Sequence, residues 1–272
     1  PVSQFRRFVS GRIAVSGKDR LFSNLVDAAD RDFEIKGAHI DLPMLKSLRY
    51  GSLSLSNGGT VTAPVLADLD GGSLYVSGAV TLQLPSVMSY DHAGTWRGQH
   101  RYFRAEGVGS RLELPHLSLI TGGSYDNDRI FVQAQNEGVI DLSQVTQIVD
   151  RTDGELGNRS IDVSATGNKS LVQLDSLTHY SDQYAFEFGS GQYSTLSALQ
   201  GGEVRAPNLT DVQGVNVDLD GTGTVPVSQF RRFVSGRIAV SGKDRLFSNL
   251  VDAADRDFEI KGAHIDLPML KS

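Results

Sequence analysis

The stretch Ile40-Asp41-Leu42-Pro43-Met44-Leu45-Lys46-Ser47-Leu48 reads apolar-x-apolar-Pro, then x-apolar-x-x-apolar. It returns as Val61-Thr62-Ala63-Pro64-Val65-Leu66-Ala67-Asp68-Leu69, and again as Leu82-Gln83-Leu84-Pro85-Ser86-Val87 with Tyr90 closing. Period-2 alternation up to the proline marks a short strand with one face buried. Proline has no N–H to give a central ladder, so it belongs at a corner. Looser versions centre on Pro115, Ser143, Asp175, Pro207 and Ser228, and a weaker one on Ser23, with Leu21, Leu25 and Ala28 around it. Ser and Asp favour turns as well.

A second strand signal precedes each centre. Leu53 and Leu55 stand before Pro64, Leu74 and Val76 before Pro85, Val132 and Ala134 before Ser143, and Val217 and Leu219 before Ser228, each pair at the same offsets. Starting from Ser3, the centres are spaced 20, 20, 21, 21, 30, 28, 32, 32 and 21 residues apart. Residues Pro1 to Ser47 also recur unchanged as Pro226 to Ser272, an offset of 225 residues. The nine short spacings fill that offset, so two independent repeats close on one another. Residues 1–225 are therefore one full unit, and 226–272 begin the next identical unit, stacked on the first. A tandem array explains this better than a single domain or an engineered duplication of one end.

Strands of three to five residues do not hold a hairpin alone in water. Stacked parallel, each one pairs with its counterpart one coil along, about 4.8 Å away, and neighbouring coils complete a core that no single coil can bury. The expected fold is all-β: a parallel β-solenoid of about nine coils per 225-residue unit, continuing into the next. Each coil holds a strand, a turn, a second strand, a corner and a third short apolar segment. Asp41, Thr62, Gln83, Glu113, Asp141, Gln173 and Arg205 share one position that points outward. A β-sandwich is the main rival, but it needs hairpin turns and does not predict this register. A leucine-rich solenoid is a second rival. The Asn that such repeats place after their strand is missing.

The pattern resembles the parallel β-helix family in general: pectin-lyase-like folds, passenger domains of secreted adhesins, and bacterial or phage fibres. The resemblance spans the whole chain and is architectural. The calcium-binding Gly-Gly-x-Gly-x-Asp nonapeptide of glycine-rich rolls is absent. The resemblance implies a bacterial surface fibre or adhesin-like protein, extracellular or at the cell surface. Fold alone does not fix function.

Composition narrows the classes. With 29 glycines against 8 prolines and 39% apolar residues, the chain suits many turns around a real core. There is no cysteine, which excludes disulfides, zinc–thiolate sites and thiol nucleophiles. A net charge of −6 without a basic cluster argues against nucleic acid as a partner. No run of about eighteen apolar residues encodes a membrane-spanning helix. The chain opens on Pro1 with no signal-peptide pattern, as an internal fragment or processed chain would.

Four coils between Pro85 and Pro207 are longer than the rest. Their extra residues are Ser89 to Gln99, Thr121 to Asp128, Asp150 to Asn158, and a last set near Gly189 to Gly201 expected elsewhere in the coil. Stacked, the first three would form a lateral ridge, and loops on a rigid scaffold are where function tends to sit. The first holds Tyr90, Asp91, His92, Trp96 and Arg97, with His100 beyond it; the second holds Tyr125, Asp126 and Asp128. Trp96, the one tryptophan, beside carboxylates suits stacking on a surface glycan. The competing readings are a lateral contact with a neighbouring fibre, or an aromatic that caps the core beneath its loop.

Paired carboxylates could come from Asp91, Asp126, Asp153 and Glu155, but no spacing singles out a pair. No nucleophile-elbow motif is present either, so the chain reads as no enzyme. The histidines other than the repeated His39 and His264 are expected to face solvent. Asp68-Leu69-Asp70-Gly71 and Asp218-Leu219-Asp220-Gly221 look like fragments of calcium loops without the remaining ligands. Hence Asp68, Asp70, Asp218 and Asp220 are weak calcium candidates, and no cofactor is expected. The partner expected is the chain itself, end to end by coil stacking and side by side through the ridge. The function expected is structural; a carbohydrate-binding or carbohydrate-cleaving β-helix is the alternative.

Overall fold

The computed structural model describes residues 4–8, 11–155, 157–183, 185 and 192–270. These are strand, turn and bend with almost no helix. Every strand pairing among them is parallel. The protein is an all-β parallel solenoid, and the sandwich, which is built from antiparallel pairs, is excluded.

Three faces recur along the chain. The first is one sheet of 11 strands, from Arg12–Ser16 through Ser52–Ser56, Arg129–Gln135 and Val215–Leu219 to Arg256–Lys261. The second holds the strands before each corner, among them His39–Asp41, Thr81–Gln83 and Glu203–Arg205. The third runs from Ser89–Asp91 to Arg232–Val234, and single bridges such as Asp27↔Ser47 and Ser47↔Asp68 extend it through the earlier coils. Consecutive strands of the first face thus lie a whole coil apart in sequence, which is the signature of a wound chain.

The register aligns inward side chains into columns. On the first face Leu53, Leu74, Phe103, Val132 and Val163 pair in succession, and all are fully buried. At the corner Leu42, Leu84, Leu114, Leu142 and Leu174 form another fully buried column. Each buried leucine contributes about 1.5–3 kcal/mol relative to an exposed one, and the column collects that at every coil.

The corner is a four-residue turn. The N–H of Leu45 donates to Leu42 at 3.2 Å, that of Leu66 to Ala63 at 3.3 Å and that of Leu117 to Leu114 at 3.1 Å. Pro43, Pro64 and Pro115 therefore occupy the second turn position, where a φ fixed near −65° suits the chain. Glycine answers a different demand ahead of the second face. A Cβ at Gly138 would lie 2.1 Å from the Ala105 carbonyl oxygen of the preceding coil.

Two details depart from expectation. In the coil centred on Ser23 the inward residue is Phe22, while Leu21 is 49% exposed. Position for position, Phe22 matches Leu42 and Leu21 the outward Asp41, while Leu25 and Ala28 are buried as read. The fourth insertion sits at the same corner as the other three, between the strands His179–Asp182 and Ser194–Leu199. Thr195 to Leu199 are first-face strand, not insertion; Gly189 and Gly191, like the first centre Ser3, fall outside the described residues.

Candidate functional site

All the insertions leave the third face and return to the first, so they share one corner. Successive loops are fastened together. Gly98 N–H donates to Asp126 O at 2.8 Å, and Glu155 N–H donates to Ser124 O at 2.7 Å. Asn158 N–H donates to the Asp126 carboxylate at 3.1 Å, and the Arg97 guanidinium meets Glu155 at 2.5 Å. The three loops form a continuous ridge beside the rod.

Its base is a buried polar cluster. His92, Gly122, Asp150 and Asp182 follow the register Asp91↔Thr121 and Asp150↔Asp182 into one inward column. His92 and Asp128 are fully buried, with Nδ1 and a carboxylate oxygen 3.6 Å apart. The other His92 nitrogen lies 2.7 Å from Gln99 O. Asp128 accepts from Gln99 N–H at 3.0 Å and Tyr125 N–H at 3.1 Å, so it closes two loops at once. Glycine makes the room: a Cβ at Gly123 would meet the Asp128 Cβ at 2.3 Å. One coil on, Asp150 faces buried Arg159 at 3.7 Å, and the Arg159 guanidinium donates to Asp153 O at 2.6 Å. Asp182 accepts from Ala185 N–H and from the N–H and hydroxyl of Ser194.

Burial dictates the electrostatics. It pushes the Asp150 carboxyl up to about 8, aided by Asp182 and opposed by Arg159. It raises Asp182 to about 6 against the pull of the Ala185 and Ser194 donors. It lowers the His92 imidazole, with Asp128 opposing. These groups anchor the loops from inside.

The nine residues singled out in sequence therefore divide. Tyr90 is a core residue whose hydroxyl donates to Gly72 O at 2.8 Å. His92 and Asp128 are buried too, so His92 does not face solvent as expected. A docking molecule reaches none of the three. Asp91 is half-buried and paired with Arg151. Tyr125 and Asp126 are half-buried in the ridge. His100 is exposed and meets Phe131 edge-on at 5.6 Å. Trp96 is 64% exposed beside exposed Arg97, so it stands on the crest and does not cap the core. The four acids weighed as catalytic pairs are each engaged: Asp91 and Asp153 with Arg151, Asp126 with Asn158, and Glu155 with Arg97.

Sequence reasoning missed an outward aromatic ladder next to this ridge. Tyr102 and Phe131 lie in register on the first face, and Tyr75, which pairs with Arg104, reaches Tyr102 diagonally. Tyr75 and Tyr102 have ring centroids 5.8 Å apart, and Tyr102 stacks on Phe131 at 5.0 Å. Arg104 lies 5.5 Å over Tyr102, and Arg129 lies 4.8 Å over Phe131. Such cation–aromatic stacking holds planar groups on a surface.

The calcium candidates are committed elsewhere. Asp68 accepts from Ser47 and Asp70 from Asp91 N–H, with Arg49 within 3.9 Å of both carboxylates. Asp218 pairs with Arg237 at 3.0 Å. For Asp220, burial is outweighed by donors from Gln200, Gly223 and Thr222, which hold it near 2. Asp218 and Asp220 border an open cleft of about 240 Å³ with Arg237, Glu259 and Lys261. Among the described residues no three His, Asp or Glu gather to hold a metal ion. No helix among them is long and apolar enough to cross a membrane. Comparison with protein-family models, curated proteins and solved structures finds no match to this chain.

Proposed function

We propose that the chain is a length of a repetitive extracellular or cell-surface fibre, whose units stack end to end and whose ridge mediates bundling or adhesion. One observation carries this reading. Residues 226–272, identical to 1–47, continue the coil instead of starting a separate body. Val217 pairs with Ile238, Asp218 with Ala239 and Leu219 with Val240 on the first face, and Asp211 to Gln213 pair with Arg232 to Val234 on the third. A ladder that crosses the unit boundary makes a rod of any number of units, and its parallel hydrogen bonds resist bending and proteolysis. The test is negative-stain electron microscopy of chains carrying one, two and three units. The reading expects straight rods that lengthen by about 43 Å per unit, from nine strands at about 4.8 Å. Beads on a flexible string would overturn it.

A carbohydrate-binding or carbohydrate-cleaving protein is the second reading. The exposed Trp96 on the ridge and the outward Tyr102–Phe131 stack on the first face favour it. A glycan array with a reducing-sugar assay separates the two. Under the second reading Trp96→Ala abolishes binding without changing the rod; under the first no glycan is retained by either form.

A further inference from the structure

Where one unit meets the next, a side chain takes the place of a backbone donor on the second face. Along the second face the carbonyl five residues ahead of the corner accepts a backbone N–H from the following coil in six coils. Ala38 accepts from Thr60, Val80 from Arg111, Ser110 from Val139, Gly138 from Leu171, Ser170 from Glu203 and Gly202 from Thr224. At the unit boundary the equivalent carbonyl is that of Gly223, and it accepts from the Arg245 guanidinium at 3.0 Å. The second-face ladder is interrupted there, as it is between Thr60–Thr62 and Thr81–Gln83, but only at the unit boundary does an arginine from the next coil reach the carbonyl among the described residues. The sheet ending on Glu203–Arg205 reaches Thr224 by a single bridge, and Arg245–Leu246 pairs onward with Ile265–Asp266.

Arg245 also stands at a core position. Ile40, Leu82, Leu112, Ile140, Val172 and Val204 hold the same place in other coils and are fully buried. Arg245 is 9% exposed there. A guanidinium inside an aliphatic column is costly unless its donors are met. Leucine stacks on leucine in any order of coils, whereas this arginine fits only below a carbonyl that the backbone leaves open. Buried polar groups are known to fix register in this way.

The first copy shows the same surface uncovered. Arg20, the counterpart of Arg245, is exposed and bonds only its neighbours' carbonyls, those of Lys18 and Asp19, among the described residues. Phe5 is 46% exposed, while its counterpart Phe230 is fully buried. Phe8 and Ile13 are half-buried, while Phe233 and Ile238 are fully buried. What covers the second set is the coil of residues 203–225.

We propose that the face carrying Phe5, Phe8, Ile13 and Arg20 is a docking surface for residues 203–225 of a second copy of this chain, with Arg20 donating to Gly223 of that copy as the register pin. The proposal rests on the fibre reading and names its joint. Within one chain residues 226–247 occupy the same seat, so intramolecular seating competes with association between copies.

The test is made in the full chain, with Phe230→Asp and Phe233→Asp placed in the second copy alone. The vacated seat is then open to residues 1–22 of another molecule. Light scattering is expected to show mass rising with concentration in steps of 29.4 kDa. Adding Arg20→Ala is expected to weaken association about tenfold or more, the loss of a charged hydrogen bond. Adding Phe5→Asp should abolish it. A folded variant that stays single at every concentration would overturn the joint, as would association indifferent to Arg20 and Phe5. If the paired substitutions unfold the chain, Arg245→Ala loosens the same seat, and energy transfer between two labelled populations reads association by the same outcomes. Rods that lengthen with unit number while these variants stay single would defeat the joint and leave the fibre reading standing.

Discussion

Residues 1–47 and 226–272 have one sequence and two environments. In the first copy Phe33 and Ile35 are fully buried, and in the second Phe258 is half-buried and Ile260 is 46% exposed. The order reverses nearer the start of the repeat, where Phe230 and Ile238 are buried while Phe5 and Ile13 are not. The backbone is strand in both copies, Asp32–Lys36 matching Arg256–Lys261. Local pattern therefore sets the strand, and the coil on either side sets the burial. This is the behaviour of a quasi-one-dimensional protein, in which stability comes from nearest-neighbour interfaces.

The largest effect should come from charging the middle of the stack. Leu84→Asp places a carboxylate in a fully buried column and should cost on the order of 5 kcal/mol or more, unfolding several coils. Ile260→Asp, at a position with a neighbour on one side, should cost under about 1 kcal/mol. Denaturant titration followed by circular dichroism compares them; equal costs would break the contrast between interior and end.

A matched pair of truncations sharpens it within identical sequence. Phe33→Ala should cost about 3–5 kcal/mol, and Phe258→Ala less than about 1.5 kcal/mol. The order should invert for Phe230→Ala against Phe5→Ala. An intrinsic strand preference would give the same cost in both copies and no inversion.

Much of this was legible because a solenoid writes its register into side-chain period. The corner motif around Pro43, Pro64 and Pro85 needs no tertiary information to be read. Leu21 was misplaced because Leu21 and Phe22 are both apolar, and a binary pattern does not choose between neighbours. Arg245 is buried at a position where other coils carry an aliphatic residue, a place that a binary pattern does not assign to arginine. The ridge was visible as extra length, but its inside was not. His92, Asp128, Asp150, Arg159 and Asp182 look like ordinary loop residues until stacking buries them. Tyr102 and Phe131 pair across coils of unequal length, which hides their register, and Tyr75 meets Tyr102 off register.

The ridge gives a subtler contrast with the aliphatic coils, through pH. Above neutrality His92, lowered from about 6.5, is neutral folded and unfolded, so Asp150 sets the slope. Its folded value near 8 exceeds the unfolded value near 3.9, so the folded ridge holds a proton that the unfolded chain lacks. Ridge stability should fall as pH rises toward about 8, including the stretch from about 7 to about 8, and level off above it. Amide exchange in residues 92–99 and 151–160 should quicken over that range relative to residues 39–48, and Asp150→Asn should flatten the change. A slope unaltered by Asp150→Asn would assign it elsewhere. The smallest effect belongs to the crest: Arg97→Ala removes a solvent-exposed pair with Glu155 and should leave the melting curve unchanged within error.

The central claim is that parallel pairing crosses the boundary at residue 225 in register, and cysteine pairing measures it directly because the chain has no cysteine of its own. Asp218→Cys with Ala239→Cys joins residues that pair across the boundary and point outward, about 4.8 Å apart at Cα. This double variant is expected to close a disulfide under mild oxidation without loss of fold, while Asp218→Cys with Val240→Cys, whose side chains lie on opposite sides of the sheet, should stay reduced. Preferential closure of the Asp218–Val240 pair, or of neither, would contradict the account.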